Sequence, residues 1–186
     1  MHNGIANVPV AVNEPIWDYR PGSSERESLM KKINELKSQV IDIPLIIGGK
    51  EVRTGHTAPC VIPHDHQHVL GNYHMAGEKE IQMAIEASQE AFKIWSEMAW
   101  ESRASIFKKM AVLLQGPYRD ILNASTMLAQ SKTVYQAEID SACELIDFYN
   151  FNVEFMSDIY SQQPLYNPDG MWNQLEFRAI EGFIFA

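Results

Sequence analysis

The chain has 186 residues, of which 46% are hydrophobic and 21% are charged, and its formal net charge is −9. This composition is typical of a soluble globular protein and excludes a disordered tail, a collagen-like repeat and a small disulfide-stapled fold. Nucleic acid is not expected as a partner, because the few Lys and Arg residues are scattered along an acidic chain. A membrane is not expected either, since no apolar run approaches the ~18 residues that a membrane helix needs.

Residues 1–42 are predicted to form an N-terminal arm and a helix. The first 22 residues lack periodicity and contain three prolines, which favours an extended arm. Ser24 followed three positions later by Glu27 indicates a capping box that begins a helix. Pro44 marks the end of this helix. Its apolar face is predicted to consist of Leu29, Ile33, Leu36 and Val40.

A hairpin and extended chain are predicted next. Residues 45–47 and 50–52 flank Gly48-Gly49, and glycines allow the positive φ values that a two-residue primed turn needs. More extended chain is predicted over residues 57–75.

The pattern changes to helices from Glu78, and the second of these helices ends at Gly116-Pro117. Three successive helices each have an apolar face at helical spacing. Those faces consist of Ile81, Ile85, Phe92 and Trp95; of Ile106, Met110 and Leu113; and of Ile121, Leu122 and Leu128.

The longest predicted helix covers about residues 133–160, and its faces separate at about 100° per residue. An acidic stripe is expected to face water, an apolar stripe lies nearly opposite, and an aromatic stripe lies between them. The acidic stripe is Asp140, Asp147, Glu154 and Asp158; the apolar one is Leu145, Tyr149 and Met156; and the aromatic one is Phe148, Phe151 and Phe155, with Glu144 among them.

Two strands are predicted near the C-terminal end. Residues 175–179 alternate between apolar and polar, as in a half-buried strand. Residues 183–186 are apolar on both faces, which is typical of a strand inside a covered sheet. No helix follows to cover it, so the chain is expected to stop at the start of its own core.

Histidines form the most conspicuous candidate metal site. His64, His66 and His68 would point to one side of a strand, with Asp65 between them and His74 further on. The alternative is a solvated strand edge or loop.

The cysteines and glycines are interpreted as having no catalytic or phosphate-binding role. Cys143 and Glu144 are adjacent on a helix and so point about 100° apart, which favours an inert packed thiol over a nucleophile with its base. Cys60 has no evident activator. The two cysteines indicate a reducing compartment, and no glycine-rich phosphate loop is present.

Glu144 has two possible interpretations. If it were buried near Phe148 and Phe151, its pKa would be raised, as is common at functional sites. Alternatively, it borders the acidic stripe and reaches water.

Two neighbouring stretches carry a family signature. Residues 130–140 read QSKTVYQAEID, and residues 144–148 read ELIDF. Both closely resemble the N-terminal region of the pyrroline-5-carboxylate dehydrogenases, also called glutamate-semialdehyde dehydrogenases, in the aldehyde dehydrogenase superfamily. Other matching stretches occur in the same order along nearly the whole chain. They are residues 13–15, 22–26, 43–48, 162–164 and 181–183.

The resemblance implies an α/β fold that is the N-terminal part of an aldehyde dehydrogenase fold. By this resemblance, residues 1–42 are the N-terminal arm and helix, and residues 43–160 are the hairpin and helical part of a Rossmann-type cofactor domain. Residues 161–178 would be part of the oligomerisation arm, and residues 179–186 the first core strand, truncated.

The resemblance also implies NAD-dependent oxidation of L-glutamate γ-semialdehyde to L-glutamate in proline degradation. In that family a cysteine thiolate attacks the aldehyde, hydride passes to NAD, and an amide side chain and a backbone amide hold the oxyanion. A small-molecule substrate and a homo-oligomer formed through residues 161–178 are expected. The mitochondrial matrix is the expected location, with the cytoplasm as the alternative, and no transit peptide is visible before Arg20.

Among the functional positions of that family, only Glu144 is carried over, because its counterpart lines the aldehyde pocket. The nucleophilic cysteine, the catalytic glutamate and the oxyanion asparagine are expected beyond Ala186, so no catalytic, NAD-binding or metal residue is assigned within the chain. Ser131 departs from the glycine that the family commonly has before Lys132, which leaves the geometry of that turn open.

Two hypotheses follow for the chain as a whole. It is a piece of a pyrroline-5-carboxylate dehydrogenase, or it is a non-catalytic product that pairs with full-length subunits through residues 165–178. An exposed edge at residues 183–185 would also make such a product prone to aggregation.

Overall fold

The structure, a computed structural model, describes residues 7–185 and mixes helices with short strands, which confirms the predicted α/β composition. A wide π-helical segment, Glu138–Cys143, is called the π-turn below. The elements in chain order are α1 (Ser24–Lys37), β1 (Ile41–Ile43), β2 (Leu45–Ile47), β3 (Lys50–Val52), β4 (Thr57–Ile62), β5 (Asp65–His74), α2 (Glu78–Trp95), α3 (Trp100–Gln115), α4 (Arg119–Gln130), α5 (Val134–Ala137), the π-turn and α6 (Glu144–Ser161).

The strands form a small mixed sheet and a separate hairpin. In the sheet, ordered β1-β5-β4, β5 pairs in parallel with β1 and antiparallel with β4. In the hairpin of β2 and β3, Gly48 and Gly49 have φ values of 57° and 76°. The predicted hairpin and the extended segment 57–75 are therefore confirmed. The short strand β1 has no sequence signature, because three residues cannot show a period-two pattern.

Helix α1 begins at Ser24, but its cap is the preceding residue. The Ser23 hydroxyl accepts from the Arg26 amide at 3.4 Å. The prediction of Ser24 as the cap was wrong by one residue, because Gly22 turns the chain at a φ of 82° and places Ser23 in the extended conformation that a cap needs.

The apolar face of α1 is largely as predicted. Leu29 is buried, and Ile33 and Leu36 pack around it beside Tyr19. Val40 lies outside the helix and is 60% exposed, because α1 ends at Lys37, well before Pro44. The prediction that α1 extends to Pro44 was therefore wrong, because strand β1 already begins before the proline.

The predicted apolar faces of α2 and α3 are not their buried faces. Helix α2 has no buried residue, and its Trp95 is 41% exposed. Ile106 and Met110 of α3 are exposed as well. Small residues let α3 approach the π-turn and α6 closely, so Ala111 packs against Ala142 of the π-turn and Ile146 of α6. The residues that α3 buries are Ala104, Ala111 and Leu114.

The longest predicted helix is interrupted by the π-turn. Its buried residues at this point are spaced by five, since Ala137 and Ala142 are both buried and so are Glu138 and Cys143. A π-helical segment forms i to i+5 hydrogen bonds and brings residues five apart onto one face, whereas an α-helix separates them by about 140°. The apolar stripe of α6 packs as predicted, with Leu145 and Tyr149 against the core.

Residues 162–185 contain neither helix nor strand. The strands predicted at residues 175–179 and 183–186 are therefore not formed over the described residues, and Ala186 lies outside them. A strand needs a partner for its backbone groups, and no described strand pairs with this segment.

Gly71 lies where β5 passes β1 most closely. A Cβ at this position would lie 2.6 Å from the Ile41 carbonyl oxygen, a backbone atom that cannot move without shifting β1. The parallel pairing of Ile41 with Gly71 therefore depends on the absence of a side chain.

Replacing Gly71 with alanine is expected to lower the free energy of unfolding of the chain by about 2 kcal/mol, as for other overpacked sites. Urea unfolding followed by circular dichroism measures this loss. The control is Gly77→Ala, where the added Cβ meets only the mobile end of Glu80 at 3.3 Å. Equal losses in both variants would contradict the steric explanation.

Candidate functional site

Glu144 is the first residue of α6, and its side chain is exposed in the described chain. Phe148 and Phe155, which share its face, are 59% and 53% exposed. The interpretation of Glu144 as a buried carboxylate is therefore not realised among the described residues. Instead, the exposed carboxylate of Glu144 lies at one end of a surface formed by these aromatic side chains.

The predicted acidic stripe does not simply face water. The carboxylate of Asp147 accepts from the Glu14 amide at 2.7 Å and from the Asn13 side chain at 2.8 Å. Glu154 accepts from the Ala11 amide at 2.8 Å. The prediction was wrong for these two residues, because the N-terminal arm lies along α6 and uses their carboxylates to satisfy its own backbone donors.

A fully buried carboxylate, Glu138, lies at the start of the π-turn. Its oxygens accept from the Trp17 amide at 2.8 Å, the Tyr19 hydroxyl at 2.8 Å and the Asn123 side chain at 2.7 Å. The guanidinium of Arg119 also pairs with it. Donors from the arm and from α4 thus converge on a single side chain.

Arg119 joins the arm to the π-turn. Its side chain is only 1% exposed, and besides Glu138 it binds the Glu14 carboxylate at 2.5 Å and donates to the Pro15 carbonyl at 2.9 Å. Its guanidinium carbon lies 4.1 Å from the centre of the Trp17 ring, within the range of a cation–π contact.

This polar cluster keeps its charges at neutral pH. Burial alone would raise the pKa of Glu138, but the hydrogen bonds from Arg119, the Trp17 amide and Tyr19 outweigh it and hold that pKa below its usual value. Burial and the neighbouring carboxylate raise the pKa of the Tyr19 phenol. Glu138 therefore remains an acceptor and Tyr19 a donor.

Of the two cysteines, Cys143 lies beside the Arg119–Glu138 pair, with its sulfur 3.4 Å from the guanidinium. Cys143 is buried, and burial together with the charge of Glu138 raises the pKa of its thiol to about 11. The predicted packing of Cys143 is confirmed by this burial, and the raised pKa disfavours the thiolate that a nucleophile needs. Cys60 is half-buried on β4.

The histidines do not form a metal centre among residues 7–185, where no group of three or more His, Cys, Asp or Glu side chains could hold an ion. His64 instead shares a hydrogen bond of 2.7 Å with the Ser131 hydroxyl. The buried His74 accepts from the Thr54 amide at Nδ1, so its Nε2–H is left to donate to Asp42 at 3.1 Å. That pairing makes His74 a link between β5 and β1.

The turn at Ser131 has the left-handed conformation, with φ 56° and ψ 29°. This is the conformation that a glycine favours at the end of a helix, so the serine preserves the turn geometry. Across the described part of the chain, no helix is both long and apolar enough to cross a membrane.

Comparison of the chain with known proteins identifies its family. The family model described as "Aldehyde dehydrogenase family" matches residues 51–182. The chain belongs to the aldehyde dehydrogenase family.

Individual relatives within this family are similar to the chain along nearly its whole length. The mitochondrial delta-1-pyrroline-5-carboxylate dehydrogenase of Dictyostelium discoideum is 43% identical over 100% of this chain and 33% of its own length. The human mitochondrial enzyme of that name is 40% identical over 94% of this chain and 31% of its own. The chain thus spans about a third of the length of the curated relatives that it matches.

Solved structures agree with these relatives. The crystal structure of the delta-pyrroline-5-carboxylate dehydrogenase from Mycobacterium tuberculosis bound with NAD matches with a TM-score of 0.95 and 42% identity. The match covers 98% of this chain and 34% of that one. The aldehyde dehydrogenase fold predicted for the chain is therefore confirmed, as a portion that covers about a third of the matched structure.

Sequence patterns did not reveal the Arg119–Glu138 cluster of this aldehyde dehydrogenase chain. The two residues are 19 apart and lie on different elements, and the arm residues that complete the cluster are more than a hundred positions away. The only local signal is the spacing of five between Glu138 and Cys143. At about 100° per residue a helical wheel places these two residues on different faces, so the signal is missed.

A matched pair of substitutions tests the energetic role of Glu138. Glu138→Gln is expected to lower the free energy of unfolding of the chain by about 3 kcal/mol, because it removes the charged partner of a buried guanidinium. The control Glu144→Gln lies on the same helical stretch but is exposed, so its effect is expected within about 0.5 kcal/mol. Urea unfolding measures both, and similar losses would contradict this assignment.

Proposed function

We propose that this chain is the N-terminal part of an NAD-dependent pyrroline-5-carboxylate dehydrogenase. The full enzyme oxidises L-glutamate γ-semialdehyde to L-glutamate in proline degradation. The observation that carries the proposal is the match to the Mycobacterium tuberculosis enzyme over 98% of this chain at 42% identity, with a TM-score of 0.95. The curated relatives with the same enzyme name match along the same extent.

Within this proposal, Glu144 lines the aldehyde pocket. The substrate is an amino acid, so it carries an ammonium group that an exposed carboxylate attracts. The aromatic rings of Phe148 and Phe151 would lie along its aliphatic part. The exposure of Glu144 supports this role, because a residue sealed inside its own helical layer could not contact a ligand.

NAD accepts the hydride when it is bound, and two glycine positions that could face its pyrophosphate are engaged otherwise in this structure. Gly48 and Gly49 belong to a hairpin rather than to the start of a helix. The amide of Gly77, in front of α2, already donates to Glu80 at 2.9 Å. We therefore assign NAD binding to parts of the full enzyme outside these residues.

Residues 161–178 are proposed to mediate homo-oligomerisation. The described segment exposes large apolar side chains without a partner element, including Leu165 at 99% and Trp172 at 93%. Contiguous apolar exposure of this kind is typical of an interaction surface. The same surface supports the second hypothesis, in which the chain pairs with full-length subunits without catalysing a reaction.

The mitochondrial matrix is the proposed location of the full enzyme. The relatives from Dictyostelium discoideum and Homo sapiens are both named as mitochondrial. Their identity to this chain is 43% and 40%. The cytoplasm remains the alternative, and fluorescence microscopy of the tagged full-length protein distinguishes the two.

Glu144→Ala in the full-length enzyme is expected to lower kcat/KM for the semialdehyde by about tenfold or more, since it removes a charged contact with the substrate. NADH formation at 340 nm gives the rate. The control is Asp158→Ala, another exposed carboxylate of α6 that lies about 21 Å along the helix from Glu144. Unchanged kinetics in Glu144→Ala would remove this residue from the pocket.

Trp172→Ala is expected to shift the full-length enzyme toward smaller species in analytical ultracentrifugation, because an exposed indole is a favoured anchor of protein interfaces. Gln174→Ala serves as the control in the same segment. A tagged 186-residue chain should also co-purify with the untagged full-length enzyme. An unchanged size distribution together with failure to co-purify would contradict oligomerisation through residues 161–178.

A further inference from the structure

We propose that Arg119 and Glu138 are positioning residues for Glu144, and that they act by holding the π-turn from which α6 begins. This inference rests on the proposed function only in giving Glu144 a ligand. Its structural part concerns how the direction of that side chain is fixed.

Glu144 closes the π-turn with its own backbone. Its amide donates to the carbonyl of Ile139, five residues earlier, instead of to residue 140 as in an α-helix. One residue more per turn changes the direction of every later side chain by about 100° relative to α5. The face on which Glu144 and Phe148 lie is therefore set by the presence of the π-turn.

The guanidinium of Arg119 contacts both ends of this turn. Its Nη2 pairs with the carboxylate of Glu138, the first residue of the turn, and lies 3.4 Å from the sulfur of Cys143, the last. In an α-helix these two side chains would point about 140° apart and could not meet one group. The position of Arg119 thus selects the wider turn.

The rest of the cluster fixes Arg119 itself. The Glu14 carboxylate binds it from the arm at 2.5 Å, and the Pro15 carbonyl accepts from it at 2.9 Å. Isolated π-turns are rare because their hydrogen-bond geometry competes poorly with the α-helix. Here the buried donors around Glu138 favour the wide form, and the next residue after Cys143 is the exposed Glu144.

A double-mutant cycle in the full-length enzyme tests whether the cluster acts through Glu144. Glu138→Gln is expected to raise KM for the semialdehyde by about tenfold and to leave KM for NAD unchanged. When it is added to Glu144→Ala, it should lower kcat/KM no further than about twofold, because its effect passes through a residue already removed. Effects that multiply in the double variant would overturn the proposal.

Hydrogen exchange in the 186-residue chain tests the structural part independently of catalysis. In Glu138→Gln, amides of residues 139–148 should exchange at least about tenfold faster relative to β5 than in the native chain. The control for general destabilisation is Ile62→Ala, which opens a cavity in β4 away from the π-turn. The same local change in this control, or none in Glu138→Gln, would overturn the proposal.

The two experiments separate the possible failures. If Glu144→Ala leaves kcat/KM unchanged while Glu138→Gln still accelerates exchange at residues 139–148, the pocket role of Glu144 fails and the positioning of the π-turn stands. If Glu144→Ala impairs the enzyme but exchange at these residues is unaffected by Glu138→Gln, the pocket role stands and the positioning fails.

Discussion

The buried ion pair between Arg119 and Glu138 is the interaction on which the rest of this structure depends. Removing two such charges from water costs several kcal/mol, and only close pairing with further hydrogen bonds offsets that cost. Here the arm, α4 and the π-turn each supply part of the compensation. These three segments are therefore coupled, because the loss of any one leaves a buried charge poorly satisfied.

Local signals in the sequence account for the elements that form locally. The Gly48-Gly49 turn and the extended segment around β4 and β5 are specified by residues that touch within a few positions. The π-turn has no such signature, since its stability comes from donors far along the chain. Apolar faces were predicted least well in α2 and α3, because periodicity identifies an amphipathic face without showing whether a partner covers it.

The residues of the candidate site also fall into those that the sequence predicts and those that it does not. Glu144 is proposed as a pocket residue from a family resemblance, and its position on an aromatic stripe was predictable from helical spacing alone. Glu138 lies in the neighbouring family stretch, residues 130–140, but it pairs with Arg119 and Tyr19, which no spacing rule connects to it. Physical analysis of a single sequence finds side chains that share a face more readily than those that converge from separate elements.

The hydrogen bond between the Trp17 amide and Glu138 spans 121 positions of the chain. During synthesis the arm is made before the π-turn, and at typical elongation rates about 6 to 24 s pass between the synthesis of Trp17 and that of its carboxylate partner. Throughout that interval the exposed Trp17 and Ile16 have no native surface to cover them. The arm is thus open to chaperones and proteases until the π-turn has been made.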